Sequence, residues 1–304
     1  MNLSTFNAFK NLKAATSVTL DDEGLRLLHE VLLVILDDVI SFCESNHIDY
    51  VLSGGSCLGA MRHKGFVPWD DDIDIDMPRE SYDRFIKLFP QYYGDKYLVQ
   101  SPELTPEVGT TQGHVRLRGT TMRLHDDVML EDAGICIDIF PIENTYNNPV
   151  ARNLHGIACL TAGFLFSCRR FWRDRKFYAE IGKDNASFLR TARIKAAIGL
   201  PCALLSTEHW SALVTKIYSM CKDGNSEMVA VPSGRGHFYG ELLPRAEFAE
   251  SRMEMFEGRN VRVPSDAEGY LENQYGNWQA IPEACDREYH TYLELDFGSY
   301  ASKH

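Results

Sequence analysis

Residues 70–77 read Asp-Asp-Asp-Ile-Asp-Ile-Asp-Met, so that five of the first seven positions are aspartate. Aspartate is a poor strand former, yet from Asp72 onward acidic and apolar residues alternate with the period of two that is typical of a strand. Side chains two residues apart on a strand project from the same face, about 6.5–7 Å apart at Cα. The segment therefore predicts a short strand with acids on one face and Ile73, Ile75 and Met77 in the core.

The acidic face of this strand would hold Asp72, Asp74 and Asp76. Carboxylates at this spacing repel one another and raise each other's pKa values, a cost that a hard divalent cation removes. Mg²⁺ prefers one or two carboxylates together with water and substrate phosphates. A solvated edge strand would usually also contain lysine, and a calcium loop would need a glycine at its sixth position and a late glutamate in register. The strand thus predicts a metal that serves catalysis or substrate binding.

A glycine turn precedes the aspartates by about fifteen residues and contains Gly54, Gly55 and Ser56. It lies between a predicted buried strand at residues 48–53 and a short predicted helix at residues 57–63. Glycines let the backbone approach a phosphate closely, and the start of a helix offers free N–H groups. A tight turn without any ligand is the alternative. The spacing leaves room for a helix and a return strand beside the first, which favours the phosphate role.

Further candidate residues flank these two motifs. Asp138 lies within an apolar predicted strand at residues 135–140. A lone acid there caps a backbone group or pairs with an arginine, unless its strand neighbours the aspartate strand; in that case it becomes a third ligand or a general base. Arg62, His63 and Lys64 come shortly after the glycine turn, at the end of the short helix, and are candidates for contact with a donor phosphate, the alternative being solvated charges at a helix end.

The order of predicted elements indicates an α+β protein. A helix is predicted from Thr19, as N-cap, to His47, a strand at residues 113–124, and long helices at residues 150–180 and 186–222. The fold class predicted is a mixed sheet core with flanking helices and a mainly helical C-terminal half. We divide the chain into a catalytic core at residues 1–149 and a region at 150–304 that completes the site and selects the acceptor.

The composition limits the class of protein. A net charge of −12 argues against a general nucleic-acid binder, which usually presents a basic face. Eight scattered cysteines without a CxxC pair predict free thiols in a reducing compartment. The first residues lack the apolar core of a signal peptide, and no segment reaches the ~18 apolar residues of a membrane span. The expected location is cytoplasmic, without a transmembrane segment.

A basic and aromatic stretch at residues 169–176, Arg-Arg-Phe-Trp-Arg-Asp-Arg-Lys, follows an apolar run at residues 157–168. One interpretation is peripheral contact with anionic lipid at the inner face of the membrane, or with a lipid-linked glycan. The other is an ordinary helix whose charged face meets water. The shortness of the run and the acidity of the chain favour the second interpretation.

The stretch at residues 52–79, LSGGSCLGAMRHKGFVPWDDDIDIDMPR, resembles the LicD family within the nucleotidyltransferase superfamily. That family includes bacterial phosphocholine transferases and is related to the eukaryotic fukutin-type ribitol-phosphate transferases. The resemblance continues at residues 137–141 and returns in the tail, at residues 256–258, 263–265, 270–271, 274–276, 287 and 290. Many family members carry a paired His-His where this chain has Tyr289 and His290.

The resemblance implies a nucleotidyltransferase-like core and a role for each candidate residue. Asp72 and Asp74 would be ligands of Mg²⁺ or Mn²⁺, with Asp138 as the third acid, either in the metal shell or as the base that accepts the acceptor's proton. Asp70 is a second candidate for that base. The residues implied to bind the donor phosphate are Gly54, Gly55 and Ser56, with Arg62, His63 and Lys64 as further candidates.

The reaction implied by the resemblance starts from CDP-choline or another CDP-linked alcohol. A hydroxyl of a cell-surface glycan, such as lipopolysaccharide or teichoic acid, would attack the phosphorus that bears the alcohol, and CMP would leave. The alternative chemistry is a nucleotidyltransferase that moves NMP from an NTP to a sugar or another acceptor and releases pyrophosphate. A binding module without catalysis is a third hypothesis, against which the intact acids speak.

Overall fold

The computed structural model describes residues 20–125, 127, 130–283, 287 and 290–303, together with residues 5, 9 and 18. The strands within this part of the chain are β1 Val51–Leu52, β2 Asp74–Pro78, β3 Tyr97–Gln100, β4 Gly113–Leu117, β5 Thr121–Arg123, β6 Cys136–Asn144, β7 Met228–Ala230, β8 Leu243–Pro244, β9 Ser251–Phe256, β10 Arg259–Pro264 and β11 Glu294–Asp296. The helices are α1 Asp22–Asn46, α2 Gly54–Arg62, α3 Arg79–Tyr93, α4 Pro149–Arg173, α5 Arg175–Ile181, α6 Ala186–Cys202, α7 Thr207–Tyr218, α8 His237–Gly240, α9 Arg245–Phe248 and α10 Ala267–Tyr275, followed by a 3-10 helix, Gly298–Lys303.

The aspartate strand β2 lies inside the main sheet, whose order is β1-β2-β6-β4-β3. β2 and β6 run parallel, whereas β1 pairs with β2 and β4 pairs with β6 in the antiparallel sense. The predicted α+β class with a mixed sheet core is confirmed. Because β2 has a neighbour on each side, it is not an exposed edge strand.

The structure corrects the limits of the two acid-bearing strands. β2 begins at Asp74, so that Asp72 precedes the strand instead of lying on its face. Ile75 and Met77 are fully buried, as predicted. β6 continues past Pro141, which pairs with Met77 of β2. Proline has no N–H to donate to a neighbouring strand. This is tolerated at Pro141 because the antiparallel pairing of β6 with β4 ends at Ile139, so β4 has no acceptor opposite Pro141.

The first helices also differ from the prediction at their starts. Thr19 lies outside the described residues, and the N-cap of α1 is Asp21, whose carboxylate accepts a hydrogen bond from the N–H of Gly24 at 2.8 Å. The short helix α2 begins at Gly54, three residues earlier than predicted, so the glycine turn forms its first turn. Its N-terminus therefore points at the segment that precedes β2.

The chain after residue 149 begins with four helices, α4 to α7, close to the prediction, and α4 packs against both α6 and α7. It then returns to the sheet, since β7 pairs with the end of β6 at Glu143 and Ala230. Five strands follow α7, interspersed with short helices. The division at residue 149 stays a prediction.

The seven cysteines among the described residues are free, as predicted for them, and six of the seven are buried. Within the described part of the chain, no helix combines the length and the apolarity that crossing a membrane requires.

Candidate active site

Asp74 and Asp138 lie side by side on the parallel strands β2 and β6, as direct register partners. His114 on β4 is the register partner of Asp138 on the other side. The three residues thus form a row across the centre of the sheet. The condition for a role of Asp138, that its strand neighbours the aspartate strand, is met.

The glycine turn lies directly against the acidic residues. Gly54 has a φ of +50°, and a Cβ on it would stand 2.7 Å from Asp74 Oδ2. A Cβ on Gly55 would collide with the carboxylate of Asp70. Ser56 is buried, and its Oγ accepts a hydrogen bond from the N–H of Asp74 at 3.0 Å. The turn therefore needs glycine at two successive positions to let the two carboxylates approach the helix start.

The C-terminal tail fixes the same turn from a distance of more than 200 residues. The N–H of Gly54 donates to the hydroxyl of Tyr270, on α10, at 2.8 Å. This donor, which the sequence suggested for a phosphate, is therefore already used. The N–H groups of Gly55 and Ser56 are first-turn donors that helix geometry leaves without an intrahelical acceptor.

Asp138 is held by a hydrogen bond to the imidazole of His114, with 2.6 Å between Oδ1 and Nδ1. The other ring nitrogen of His114 lies 3.1 Å from the hydroxyl of Thr110. Both nitrogens have partners, so the ring orientation is fixed. Burial raises the pKa of Asp138, but the His114 and Arg116 side chains lower it below the usual range.

A second histidine approaches the segment that precedes β2. His290 Nδ1 lies 2.7 Å from Asp71 Oδ1 and 3.7 Å from Asp72 Oδ2. The hydroxyl of Tyr292 also donates to Asp71, which is buried. Loss of water would lower the pKa of His290, but the carboxylates, Asp71 foremost, raise it well above its usual range. The tail thus supplies a positive charge beside the acidic segment.

The acids themselves crowd one another. The pKa of Asp74 is raised well above its usual range, first by burial and then by the carboxylates of Asp72 and Asp138. Burial and the charge of Asp72 likewise raise the pKa of Asp70, and burial raises that of Asp72 to about 6. Negative charge is therefore concentrated at the start of β2 beyond what the neighbouring side chains neutralise.

Two groups of potential metal ligands have their donor atoms within 4.8 Å of one another in the described chain: Asp71, Asp72 and His290, and His114, Cys136 and Asp138. The predicted set of metal ligands is split between these groups. Asp72 belongs to the first group and Asp138 to the second, whereas Asp74 belongs to neither group among the described residues. Asp74 lies next to both, because Asp138 is its register partner and Asp72 raises its pKa.

The three predicted cations lie elsewhere. α2 has nine residues and is about 13 Å long, so Arg62 at its end is remote from Gly54 at its start. Arg62 Nη1 donates to the carbonyl of Trp278 at 2.7 Å, and its Nε to His63 Nε2 at 2.9 Å. Lys64 forms an ion pair with Glu254 at 2.9 Å. The structure does not bring these cations to the glycine turn.

Several site residues escaped the sequence reasoning, namely Asp71, His114, Tyr270 and Tyr292. His114 carried a usable signal, since it lies in a predicted strand next to an otherwise apolar alternation. Tyr270 and Tyr292 reach partners more than 200 positions away. Local sequence pattern carries no information about such contacts.

Comparison with known proteins supports the family resemblance over the same core. Residues 47–153 match the sequence model described as LicD/FKTN/FKRP, nucleotidyltransferase domain. The chain is 46% identical over 79 residues to the lipopolysaccharide cholinephosphotransferase LicD of Haemophilus influenzae. This alignment covers 26% of this chain and 30% of that protein. An uncharacterised protein of Rickettsia typhi is 36% identical over 58 residues, 19% of each chain.

A second uncharacterised protein, from Rickettsia prowazekii, is 34% identical over 58 residues, which is 19% of this chain and 22% of that protein. Each alignment thus covers less than a third of the relative's own length. The family match contains the glycine turn, β2 and β6, and therefore Asp74, Asp138 and His114. Residues 47–153 are thus similar to the nucleotidyltransferase domain of the LicD family.

Proposed function

We propose that this protein transfers a phospho-alcohol, such as phosphocholine, from a CDP-linked donor to a hydroxyl of a cell-surface glycan. Lipopolysaccharide is the acceptor that the name of the Haemophilus influenzae relative suggests, and teichoic acid is a chemically related alternative. The observation that carries the proposal is the row of Asp74, Asp138 and His114 beside a glycine turn at a helix start.

The residues present fit a divalent cation. Burial, and then the carboxylates of Asp72 and Asp138, raise the pKa of Asp74, so its charged form is disfavoured unless a cation is bound. Its carboxylate also lies against the glycine turn, in the position that a Cβ on Gly54 would crowd. Asp72, Asp74 and Asp138 would hold Mg²⁺ or Mn²⁺ here. When bound, the ion would neutralise charge that develops on the leaving phosphate.

The charge states of the acids indicate which of them would act as a metal ligand and which as a base. Asp138 stays ionised because His114 and Arg116 lower its pKa, which suits a ligand better than a base. Asp70, whose pKa is raised by burial and by the charge of Asp72, lies against Gly55 and is the candidate for the base that accepts the proton of the attacking hydroxyl. The N–H groups of Gly55 and Ser56 would orient a donor phosphate.

Product analysis tests the proposal. Purified protein is incubated with Mg²⁺, a glycan acceptor and either CDP-choline or CTP. We expect CMP release from CDP-choline together with phosphocholine on the glycan. Release of pyrophosphate from CTP with no CMP from CDP-choline would instead establish a nucleotidyltransferase. Asp74→Asn should abolish the reaction, whereas Asp95→Asn, which changes an exposed acid, should leave it intact.

A further inference from the structure

The helical region after the catalytic core has a charge opposite to that of the whole chain. Residues 149–205, which span α4 to α6, contain ten lysines and arginines but only three acids. This segment therefore carries a net charge of +7 within a chain whose net charge is −12. Such a separation of charge concentrates the attraction for an anionic partner on one region.

An apolar stripe runs along the outer face of α4. Val150, Leu154, Ile157 and Phe164 follow one another at spacings of four, three and seven residues, and their exposed fractions are 68%, 64%, 56% and 38%. Residues at these spacings share one face of a helix, and the stripe is about 21 Å long. The opposite face of α4 packs on α7, where His155 Nε2 lies 2.8 Å from the carbonyl of Ile217. The stripe is thus exposed although the helix is firmly packed.

The end of α6 carries further exposed apolar side chains. Gly199 packs directly on the backbone of Cys168 in α4, and Arg169 donates to the carbonyl of Leu205 at 3.2 Å. These contacts hold the C-terminus of α6 against the second half of α4. Leu200 and Leu204 there are 52% and 91% exposed. Leu200 belongs to the last turn of α6, and Leu204 lies in the turn that follows the helix.

A cavity of about 340 Å³ opens beside Leu200 and is lined by apolar and by basic side chains. Its walls include Leu189 and Ala196, and Arg175 and Arg193 both line it. Arg175 stacks on the ring of Trp172, with 4.0 Å between its guanidinium carbon and the ring centre. The cavity therefore combines an apolar floor with two guanidinium groups, and both arginines are exposed.

We propose that the outer face of α4 and α6 is a docking surface for an anionic phospholipid membrane. Apolar side chains would enter the boundary between headgroups and acyl chains, while Arg175 and Arg193 would contact lipid phosphates. The charge of the segment complements a negative membrane surface, where basic residues contribute additively. The proposal concerns binding alone and does not depend on the transferase activity.

Vesicle flotation of the full chain tests this surface. We expect binding to vesicles of phosphatidylcholine with ~30% phosphatidylglycerol, weak binding to phosphatidylcholine alone, and release as salt is raised, because the electrostatic attraction is screened. Replacing Arg175 and Arg193 together by Gln should weaken partitioning about 30-fold. Leu154→Ser with Ile157→Ser should weaken it as well, and circular dichroism should show both variants folded.

Matched controls lie on the catalytic core. Lys87→Glu reverses an exposed charge on α3, and Leu104→Ser removes an exposed apolar side chain; both should float like the wild type. Absence of binding to either vesicle overturns the proposal. So does equal loss in the controls, or a stable dimer whose interface covers the stripe in solution.

Discussion

Asp74 is half-buried, and its backbone and side chain are constrained from different directions. Its backbone N–H donates a hydrogen bond to Ser56 Oγ, while its carboxylate faces the glycine turn and Asp138. The backbone contact does not depend on the side-chain charge. A neutral, isosteric side chain should therefore remove the proposed ligand without disturbing the fold.

We expect Asp74→Asn to lower turnover about 1000-fold, equivalent to ~4 kcal/mol of transition-state stabilisation. Its thermal unfolding midpoint without divalent cations should equal or exceed that of the wild type, because burial and the neighbouring carboxylates, which raise the pKa of Asp74, disfavour a charge at this position. Steady-state kinetics and circular dichroism measure the two quantities. Retained turnover, or a midpoint lower by several degrees, would show that Asp74 is structural.

Individual residues of the site could be predicted where the signal is local. The alternation after Asp72 and the glycine turn were visible within thirty positions, and the structure brings them together. Asp71 could not be distinguished from its acidic neighbours, since its distinction is a contact with His290 and Tyr292 from the tail. The contacts with His290 and Tyr292 lower the pKa of Asp71 against the effect of burial, so a distant segment distinguishes it from its acidic neighbours.

At the scale of single elements, the first turn of α2 determines how closely the acids approach the helix. Gly55→Ala would place a methyl group where the carboxylate of Asp70 lies. We expect the displaced carboxylate to reduce turnover about 100-fold. Gly224→Ala is the matched control, since a Cβ there meets no atom within 4 Å. Equal turnover of the two variants would remove Asp70 from the proposed mechanism.

The link between α10 and α2 makes a separate prediction. Tyr270→Phe removes the hydroxyl that accepts the N–H of Gly54, at a cost of about 1 kcal/mol in unfolding free energy. Turnover should fall by about tenfold, because the turn loses its support. Tyr239→Phe removes a hydroxyl that donates to Asn153 at 2.9 Å, far along the chain from the turn. Turnover of that control should be unchanged, and a parallel loss would indicate a general effect on stability.

Element types followed from the sequence better than element limits did. The period of α1 and the apolar run of β6 gave the correct type. The strand predicted at residues 113–124 is in fact two strands, β4 and β5, that belong to different sheets. Pairing partners decide such breaks, and the partner of β5 is β11, more than 170 residues later.

At the scale of the whole molecule, a buried lysine joins the N-terminal segment to the helical region. Lys195 Nζ donates to Ser167 Oγ at 2.7 Å and to Thr5 Oγ1 at 2.6 Å. Burial lowers its pKa to about 8. Between that value and the ordinary lysine pKa, the unfolded chain binds more protons than the folded one, so this residue adds stability as pH rises.

We therefore expect the unfolding free energy of the wild type to rise relative to that of Lys195→Met by up to ~3 kcal/mol between pH 7 and 10.5. Urea unfolding of both proteins at several pH values measures this difference in unfolding free energy. Contributions from the titration of other groups are the same in both proteins and cancel in the difference. Lys183→Met, at an exposed lysine, should show no such pH dependence relative to the wild type. Parallel pH profiles of wild type and Lys195→Met would mean that Lys195 stays protonated.

Binding of Mn²⁺ followed by electron paramagnetic resonance addresses the acidic site most directly, because free Mn²⁺ gives a signal that is lost on binding. With CDP-choline present, we expect the wild type to remove the signal in a stoichiometric titration. Asp74→Asn and Asp138→Asn should leave most of the ion free. Unchanged Mn²⁺ binding by both variants would contradict the assignment of these two acids as a shared metal site.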